Sequence, residues 1–124
     1  MGCGAGYQVI VFSRLMSVTI TEHGNRLLVV VHHSRVDGEN YILSALTDGQ
    51  YFKDGIRDLE IDLENVEYIN SLGISELVTI NRKFLDVRPE GVNFRLLNVD
   101  RRVNAILELV EIENIADIHP RAES

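Results

Sequence analysis

The chain has 124 residues and a mass of 14.0 kDa, which is the length of one domain rather than two. Apolar residues make up 45% of it and charged residues 25%, and these fractions exclude a disordered or collagen-like chain. Twelve basic residues against nineteen acidic ones leave a net charge of −7, which argues against a protein that binds the nucleic-acid backbone. No apolar run reaches the roughly 18 residues of a membrane helix. The single cysteine, Cys3, excludes an internal disulfide and favours a cytoplasmic protein.

The first fifteen residues differ in character from the rest. They lack the charged and then apolar layout of a secretion signal, and Gly6 stands where a myristoylation pattern requires serine or threonine. Two interpretations are open: a flexible tail with an extra strand from Gln8 to Phe12, or an upstream extension ahead of a natural start at Met16. We therefore divide the chain into an N-terminal extension over 1–15, one domain over 16–119 and a C-terminal tail over 120–124.

Two strand patterns open the domain. Residues 17–22 alternate polar and apolar side chains, which is the period of a half-buried strand. After the turn signal of residues 23–25, residues 26–32 form a β-branched run typical of a strand buried on both faces. The two strands are predicted to pair as an antiparallel hairpin.

Three helix patterns follow. Asp37 is predicted to cap the first helix, which ends at Gly49 or Gly55. Ser71 is predicted to open the second helix and Asp100 to cap the third. The apolar positions at helical spacing are Tyr41, Ile42, Ala45 and Leu46, then Ile74, Leu77, Val78, Ile80, Phe84 and Leu85, and last Val103, Ile106, Leu107 and Val110.

Strand patterns separate these helices, at residues 57–63 and 93–99, and residues 115–120 are predicted to add a short edge strand. Residues 57–63 alternate strictly, with Leu59, Ile61 and Leu63 on one face and Asp58, Glu60 and Asp62 on the other. Because three unpaired carboxylates are too costly to bury, the acidic face is predicted to carry no helix.

The predicted fold is therefore α/β, in the order β-β-α-β-α-β-α with a short terminal strand. Strand–helix–strand units favour parallel pairing with right-handed crossovers. If the strand order advances in one direction, these crossovers place the helices mainly on one face of a mixed sheet.

Candidates for chemistry are few. Alternate carboxylates on the acidic strand lie roughly 6.6 Å apart, which suits a divalent cation or an acid pair, but a solvated sheet face is the favoured interpretation. His32 and His33 are neighbours on a strand and point to opposite faces, which disfavours a shared metal. No Gly-x-Ser-x-Gly pattern surrounds Ser71, which disfavours nucleophilic catalysis. We expect no metal, no cofactor and no enzymatic activity.

Ser71 is the most informative residue, because it lies where a strand pattern gives way to a helix pattern. The simplest interpretation is an N-cap, which is worth about 1 kcal/mol. The same position suits phosphorylation, because a helix N-terminus tolerates the added charge of about −1.5 to −2. Gly73, in the first turn, is expected to leave the backbone open to close approach by another protein.

Residues 62–74 read Asp-Leu-Glu-Asn-Val-Glu-Tyr-Ile-Asn-Ser-Leu-Gly-Ile, and this segment resembles the signature of STAS domains, above all of bacterial anti-sigma factor antagonists. The resemblance extends from about Met16 to His119. It implies a STAS-like mixed sheet and a partner switch: the unphosphorylated antagonist binds an anti-sigma factor, often itself a serine kinase, and a phosphatase reverses the phosphorylation. Ser71 matches the phosphoacceptor of that family, and Asp37 matches an acidic position on its binding surface.

Two residues depart from the family signature: Asn70 replaces an aspartate and Leu72 replaces a hydroxyl residue. Either a kinase adapted to these residues modifies Ser71, or the switch is lost and the domain is a constitutive docking or scaffold module, associated with a stressosome or a transporter. A small hydrolase or metal site on the acidic strand face is a third hypothesis.

The sequence therefore predicts a regulatory, non-enzymatic domain controlled by phosphorylation of Ser71. Expected partners are an anti-sigma factor or serine kinase and a serine phosphatase, with neither nucleic-acid binding nor membrane insertion. The predicted partner-binding residues are Asp37, Asn70, Ser71, Leu72 and Gly73, together with Ser75, Glu76 and Thr79 on the exposed side of the second helix.

Overall fold

Eight strands and three helices build the protein in the computed structural model, which describes residues 7–12 and 17–122, with side-chain environments from residue 17 onward. The strands are β1 (Tyr7–Phe12), β2 (Val18–His23), β3 (Arg26–Val31), β4 (Arg35–Val36), β5 (Asp58–Asp62), β6 (Tyr68–Ile69), β7 (Asn93–Val99) and β8 (Asp117–Pro120). The helices are α1 (Tyr41–Asp48), α2 (Ser71–Val87) and α3 (Arg101–Leu109), and a 3-10 turn spans Ile112–Asn114. The glycine-rich residues before Tyr7 and the predicted start at Met16 lie outside the described residues.

Six of the strands form one mixed sheet in the order β1-β2-β3-β5-β7-β8. The predicted hairpin is confirmed, because β2 and β3 pair antiparallel, while β3, β5, β7 and β8 run parallel to one another. The strand predicted from Gln8 to Phe12 is also confirmed: β1 pairs with β2 along its whole length. The predicted domain boundary after residue 15 stays a prediction.

The core lies on one face of this sheet. Strand β5 shows the predicted alternation, with Leu59 and Ile61 fully buried. All three helices contribute to the same core cluster. This agrees with a strand order that advances in one direction, because crossovers between parallel strands are right-handed as a rule and then return on the same side. The helix residues buried there include Ile42, Ala45, Leu46, Leu77, Ile80, Phe84, Val103 and Leu107.

The opposite face of β5 carries the three predicted carboxylates, but they are paired rather than free. Glu60 Oε2 lies 3.1 Å from Arg26 Nη2 and 3.2 Å from Arg95 Nη1. Asp58 accepts from Asn93 at 3.0 Å, and Asp62 accepts from Asn98 at 3.1 Å. Each of the three carboxylates thus has a partner on a neighbouring strand.

Two predicted helix caps are wrong. Helix α1 begins at Tyr41, and its N-cap is Asn40 rather than Asp37; Asn40 has left-handed backbone angles (φ 60°, ψ 34°) and makes no side-chain cap. Helix α2 is capped by Asn70 rather than Ser71. The predicted cap of α3, Asp100, is confirmed, because its side chain accepts from the N–H of Arg102.

The C-terminal ends of the helices test the remaining helix predictions. Gly49, and not Gly55, is the C-cap of α1. Two positions of the predicted apolar stripes are wrong as core positions, because Leu85 is 42% exposed and Val110 is 48% exposed. Both lie near helix C-termini.

Candidate functional site

A second, two-stranded sheet brings the predicted site residues together. Strands β4 and β6 pair parallel, with Arg35 opposite Tyr68 and Val36 opposite Ile69. Because the strands are parallel, the residues that follow them, Asp37 and Asn70, emerge at the same edge. This pairing was not predicted, since strands of two residues show no period.

Asn70 sets the geometry of the turn that leads into α2. Its Oδ1 accepts from the N–H of Leu72 at 3.0 Å and from the N–H of Gly73 at 3.1 Å. These bonds satisfy two of the N–H groups that a helix start leaves without partners. Asparagine therefore keeps the capping oxygen that an aspartate would supply, without its charge.

Ser71 is exposed at the first helical position. Its hydroxyl is not the cap, because Asn70 fills that role. A change at the Ser71 oxygen therefore leaves the cap of α2 in place.

Apolar surface adjoins Ser71. Leu72 is 59% exposed, and its Cδ1 lies 3.0 Å from the position that a Cβ on Gly38 would take. Tyr68 is 39% exposed. Leu72 and Tyr68 are thus two of the large apolar side chains that the described part of the chain leaves exposed.

Arg35 contacts both Asp37 and Tyr68. Neither Arg35 nor Tyr68 was predicted as a site residue from the sequence. Its Nε donates to Asp37 Oδ2 at 2.8 Å, and its guanidinium carbon lies 4.1 Å from the centre of the Tyr68 ring. The hydrogen bond to Asp37 and the charge of that carboxylate raise the pKa of Arg35 against a smaller opposing effect of burial. Asp37 is thus half-buried and paired rather than a free acid.

Gly73 does not have the open backbone that the sequence suggested. It is buried, and a Cβ there would stand 2.0 Å from the carbonyl oxygen of Val36 and 2.9 Å from Ile69 Cγ1. The close approach that requires glycine is therefore made by β4 of the same chain and not by another protein.

The predicted exposure of Glu76 is also wrong, because this side chain is only 3% exposed. Its Oε2 accepts from the N–H groups of Ile42 and Leu43, each at 2.9 Å. Burial raises the pKa of the Glu76 carboxyl, although the two N–H bonds act in the opposite direction. Glu76 supplies the first turn of α1 with the side-chain cap that Asn40 does not provide.

The remaining predicted residues lie further along α2. Ser75 is exposed and Thr79 is half-buried. The exposed part of the predicted surface is thus formed by Ser71, Leu72 and Ser75, with Asp37, Asn70 and Thr79 half-buried, while Gly73 and Glu76 support it from below.

The two adjacent histidines have separate environments. His32 Nε2 lies 2.8 Å from Thr19 Oγ1, whereas the His33 ring stacks on Tyr41 of α1 with 4.2 Å between ring centres. Among residues 17–122, no three His, Cys, Asp or Glu side chains form a group that could hold a metal ion. Over the same residues, no helix is long and apolar enough to cross a bilayer.

Solved structures with a similar fold come from several kinds of protein. An anti-sigma-factor antagonist (STAS) domain protein from Planctomyces limnophilus matches with a TM-score of 0.63 and 18% identity over 96% of this chain and 92% of that chain. A candidate anti-sigma factor antagonist from Thermotoga maritima matches with a TM-score of 0.58 and 16% identity over 91% and 85%. The murine anion transporter Slc26a9 matches with a TM-score of 0.65 and 12% identity over 94% of this chain and 20% of the transporter. At these identities the likeness concerns the fold.

Sequence comparison gives the family. No curated protein matches the chain. The family model of the STAS domain, however, matches residues 15–124 and includes every residue of the candidate site. This chain therefore belongs to the STAS domain family.

Proposed function

We propose that this STAS domain is a regulatory protein-binding module and that phosphorylation of Ser71 controls its contact with a partner, as in an anti-sigma factor antagonist. The observation that carries the proposal is the exposure of Ser71 at the start of α2, next to the exposed side chain of Leu72. An incoming kinase reaches the hydroxyl without unfolding the domain. Two of the structural relatives described above are antagonists or candidate antagonists, which favours the same kind of role.

The proposed mechanism is electrostatic. A phosphate on Ser71 adds a charge of about −1.5 to −2 at the edge of the two-stranded sheet where Asp37 also emerges, in a chain that already carries −7. The first turn of α2 tolerates this anion, because a helix N-terminus carries partial positive charge. A partner that buries Leu72 has to remove water from that phosphate, so that phosphorylation weakens the contact.

The proposed partner surface comprises Asp37, Asn70, Ser71, Leu72, Ser75 and Thr79, with Tyr68 and Arg35 added from the structure. Leu72 is its apolar centre and Arg35 its cation. Gly73 and Glu76 shape the surface without lying on it.

The proposed partners are an anti-sigma factor that acts as a serine kinase and a phosphatase that reverses its action. In this account the domain itself is not an enzyme. Its output is the release of a sigma factor, and hence regulation of transcription in a bacterial cytoplasm.

The test is phosphate transfer. The protein is incubated with each anti-sigma factor kinase of its source organism and ATP, and the product is mapped by mass spectrometry. One phosphate is expected on Ser71, none on a Ser71→Ala variant, and an unchanged amount on Ser44→Ala, which lies outside the proposed partner surface. Phosphate that persists on Ser71→Ala, or no transfer from any of these kinases, refutes the assignment.

A second function, a constitutive docking module, is favoured by two observations. The transporter Slc26a9 contains a region with the same fold. In addition, Asn70 and Leu72 differ from the antagonist signature at both neighbours of Ser71. A stable complex whose affinity does not change in a Ser71→Asp variant favours this second function.

A further inference from the structure

Helix α1 takes its cap from another helix. The N–H groups of Ile42 and Leu43, its second and third residues, are those that a residue just before a helix normally binds with its side chain. Asn40 makes no such bond, and both it and Gly38 have positive φ angles, of 60° and 118°. The β4–α1 connection, residues 37–40, therefore does not cap the helix that it leads into.

Glu76 of α2 supplies the missing acceptor. Its Oε2 accepts from both N–H groups at 2.9 Å, although Ile42 and Leu43 lie 34 and 33 residues earlier in the chain. The side chain is only 3% exposed, so water does not compete for these bonds. Because one oxygen takes both hydrogen bonds, any side chain of the same length with a single carbonyl oxygen is able to replace it.

One face of α2 follows the chain from β4 into α1. Leu72 Cδ1 lies 3.0 Å from the position of a Cβ on Gly38, and a Cβ on Gly73 would stand 2.0 Å from the carbonyl oxygen of Val36. Glu76 lies three and four residues further along the same face of the helix. These contacts reach the chain before, within and after the connection, and those of Glu76 are hydrogen bonds.

Stability alone does not explain a carboxyl group at residue 76. Burial raises the pKa of Glu76, which means that folding opposes its charge. An apolar side chain of similar volume avoids that cost and often leaves a protein equally stable or more stable. The carboxyl group, however, supplies an acceptor at a fixed place, which an apolar side chain does not.

We infer that Glu76 is a positioning residue for the proposed partner surface: through the first turn of α1, its carboxyl group holds the β4–α1 connection against α2 and so fixes Asp37 relative to Leu72. The inference rests on the proposed function only where it assigns this arrangement to a partner contact.

The physical reason is the cost of a buried N–H group without an acceptor. Without an oxygen on residue 76, the N–H of Ile42, which is buried, is satisfied only if water reaches it. Water enters there when the start of α1 moves away from α2. That movement separates Gly38 from Leu72 and displaces Asp37 on the partner surface.

The test uses two variants of the full chain that keep the length of the side chain. Glu76→Met removes the acceptor, and Glu76→Gln retains one carbonyl oxygen. The first measurement is the nuclear Overhauser effect between the Hα protons of Gly38 and the methyl protons of Leu72. We expect this signal in the parent and in Glu76→Gln, and its loss in Glu76→Met.

Hydrogen exchange is the second measurement. In Glu76→Met, the amides of Ile42 and Leu43 should exchange about ten-fold faster or more, relative to the amide of the fully buried Leu107 in α3. Glu76→Gln should restore the parent rates. This ratio separates a local change at α1 from a loss of stability of the whole domain.

Asp100→Ala is the matched control, because it removes the carboxylate that caps α3. It should speed exchange at Arg102 and leave the signal between Gly38 and Leu72 intact. Three results overturn the inference: no such signal in the parent, the signal and slow exchange both retained in Glu76→Met, or the same losses in Asp100→Ala. A Glu76→Met variant that does not fold also overturns it, because Glu76 then serves stability.

Partner affinity links this arrangement to the proposed function. For the anti-sigma factor that phosphorylates the protein, we expect Glu76→Met to bind about ten-fold more weakly and Glu76→Gln to bind like the parent. Equal affinity of the parent and Glu76→Met overturns the positioning role in the contact. If the parent itself binds no such factor, the proposed function fails, and the signal and exchange rates still decide whether Glu76 positions the connection.

Discussion

Gly73 packs directly against the backbone of Val36: a Cβ on residue 73 would stand 2.0 Å from the Val36 carbonyl oxygen. The first turn of α2 therefore rests on β4, and β4 in turn pairs with β6. Through these contacts, Ser71 and Asp37 hold a fixed relation to each other although they lie on different connections of the fold.

Replacing Gly73 with alanine should destabilise the domain. Alanine favours a helix over glycine by about 1 kcal/mol, but here its methyl group meets a backbone oxygen that cannot rotate away. We expect a net loss of at least about 2 kcal/mol in the free energy of unfolding, measured with urea. Gly55→Ala is the matched control, because no atom lies within 4 Å of its Cβ position, and we expect a change within about 0.5 kcal/mol. Equal effects of the two variants would show that the Gly73 contact is not tight.

The cap of α2 gives a second prediction. Asn70→Ala removes the oxygen that accepts from the N–H groups of Leu72 and Gly73, and we expect a loss of about 1 kcal/mol in the free energy of unfolding. Asn70→Asp keeps a capping oxygen and adds a negative charge at a helix start, so its stability should equal or exceed that of the parent. If Ser71→Ala costs as much as Asn70→Ala, the serine rather than the asparagine is the cap.

Glu76 makes stability depend on pH in a defined direction. Burial raises the pKa of its carboxyl in the folded protein, so folding favours the protonated form. The stabilising contribution is fully present below the unfolded pKa of about 4.5 and is lost as the pH rises through the higher folded pKa. Urea unfolding of the parent and of Glu76→Gln between pH 4 and pH 7 isolates this group, because both proteins share all other charges.

The free energy of unfolding of the parent, relative to Glu76→Gln, should therefore fall as the pH rises from about 4.5. A difference that grows with pH would mean that the two N–H bonds outweigh burial and that the pKa of Glu76 is lowered.

Patterns with a clear period predicted most of the fold. The alternation of residues 57–63 indicated which face of β5 is buried, since a period of two assigns every side chain to a face. The order of strands and helices was sufficient to predict a one-sided sheet. The cap at Asp100 could be predicted because its carboxylate accepts from the N–H of Arg102, only two residues further along the chain.

Contacts between distant residues account for several of the errors. Helix α1 is capped by Glu76 from another helix, so no local residue marks its start, and a local pattern therefore favours Asp37 wrongly. Strands β4 and β6 have two residues each, too few to show a period. A close backbone approach at Gly73 was predicted correctly, but the predicted neighbour was another protein. The neighbour is Val36 of the same chain, which no local pattern indicates.

Leu72 should matter for binding and not for stability. Because 59% of it is exposed, Leu72→Ala should change the free energy of unfolding by less than about 0.5 kcal/mol. Because Leu72 is the apolar centre of the proposed surface, Leu72→Ala should weaken partner binding about ten-fold or more. The measurement is calorimetry with the anti-sigma factor that phosphorylates the protein. Leu85→Ala is the control, since Leu85 is 42% exposed near the other end of α2 and should leave affinity unchanged. Equal affinities of both variants would place the contact elsewhere.

The most direct measurement compares the affinity of three forms of the protein for that anti-sigma factor: unmodified, with phosphoserine installed at residue 71, and with phosphoserine installed at residue 44. Both serines are exposed, and Ser44 lies on α1 outside the proposed partner surface, so the two modified forms carry the same added charge at different places. We expect phosphoserine at residue 71 to weaken binding by about one hundred-fold, through repulsion and the cost of desolvation at the centre of the contact, and phosphoserine at residue 44 to weaken it far less. Tight binding that persists with phosphoserine at residue 71, or equal weakening by both modifications, would contradict control of the partner through Ser71.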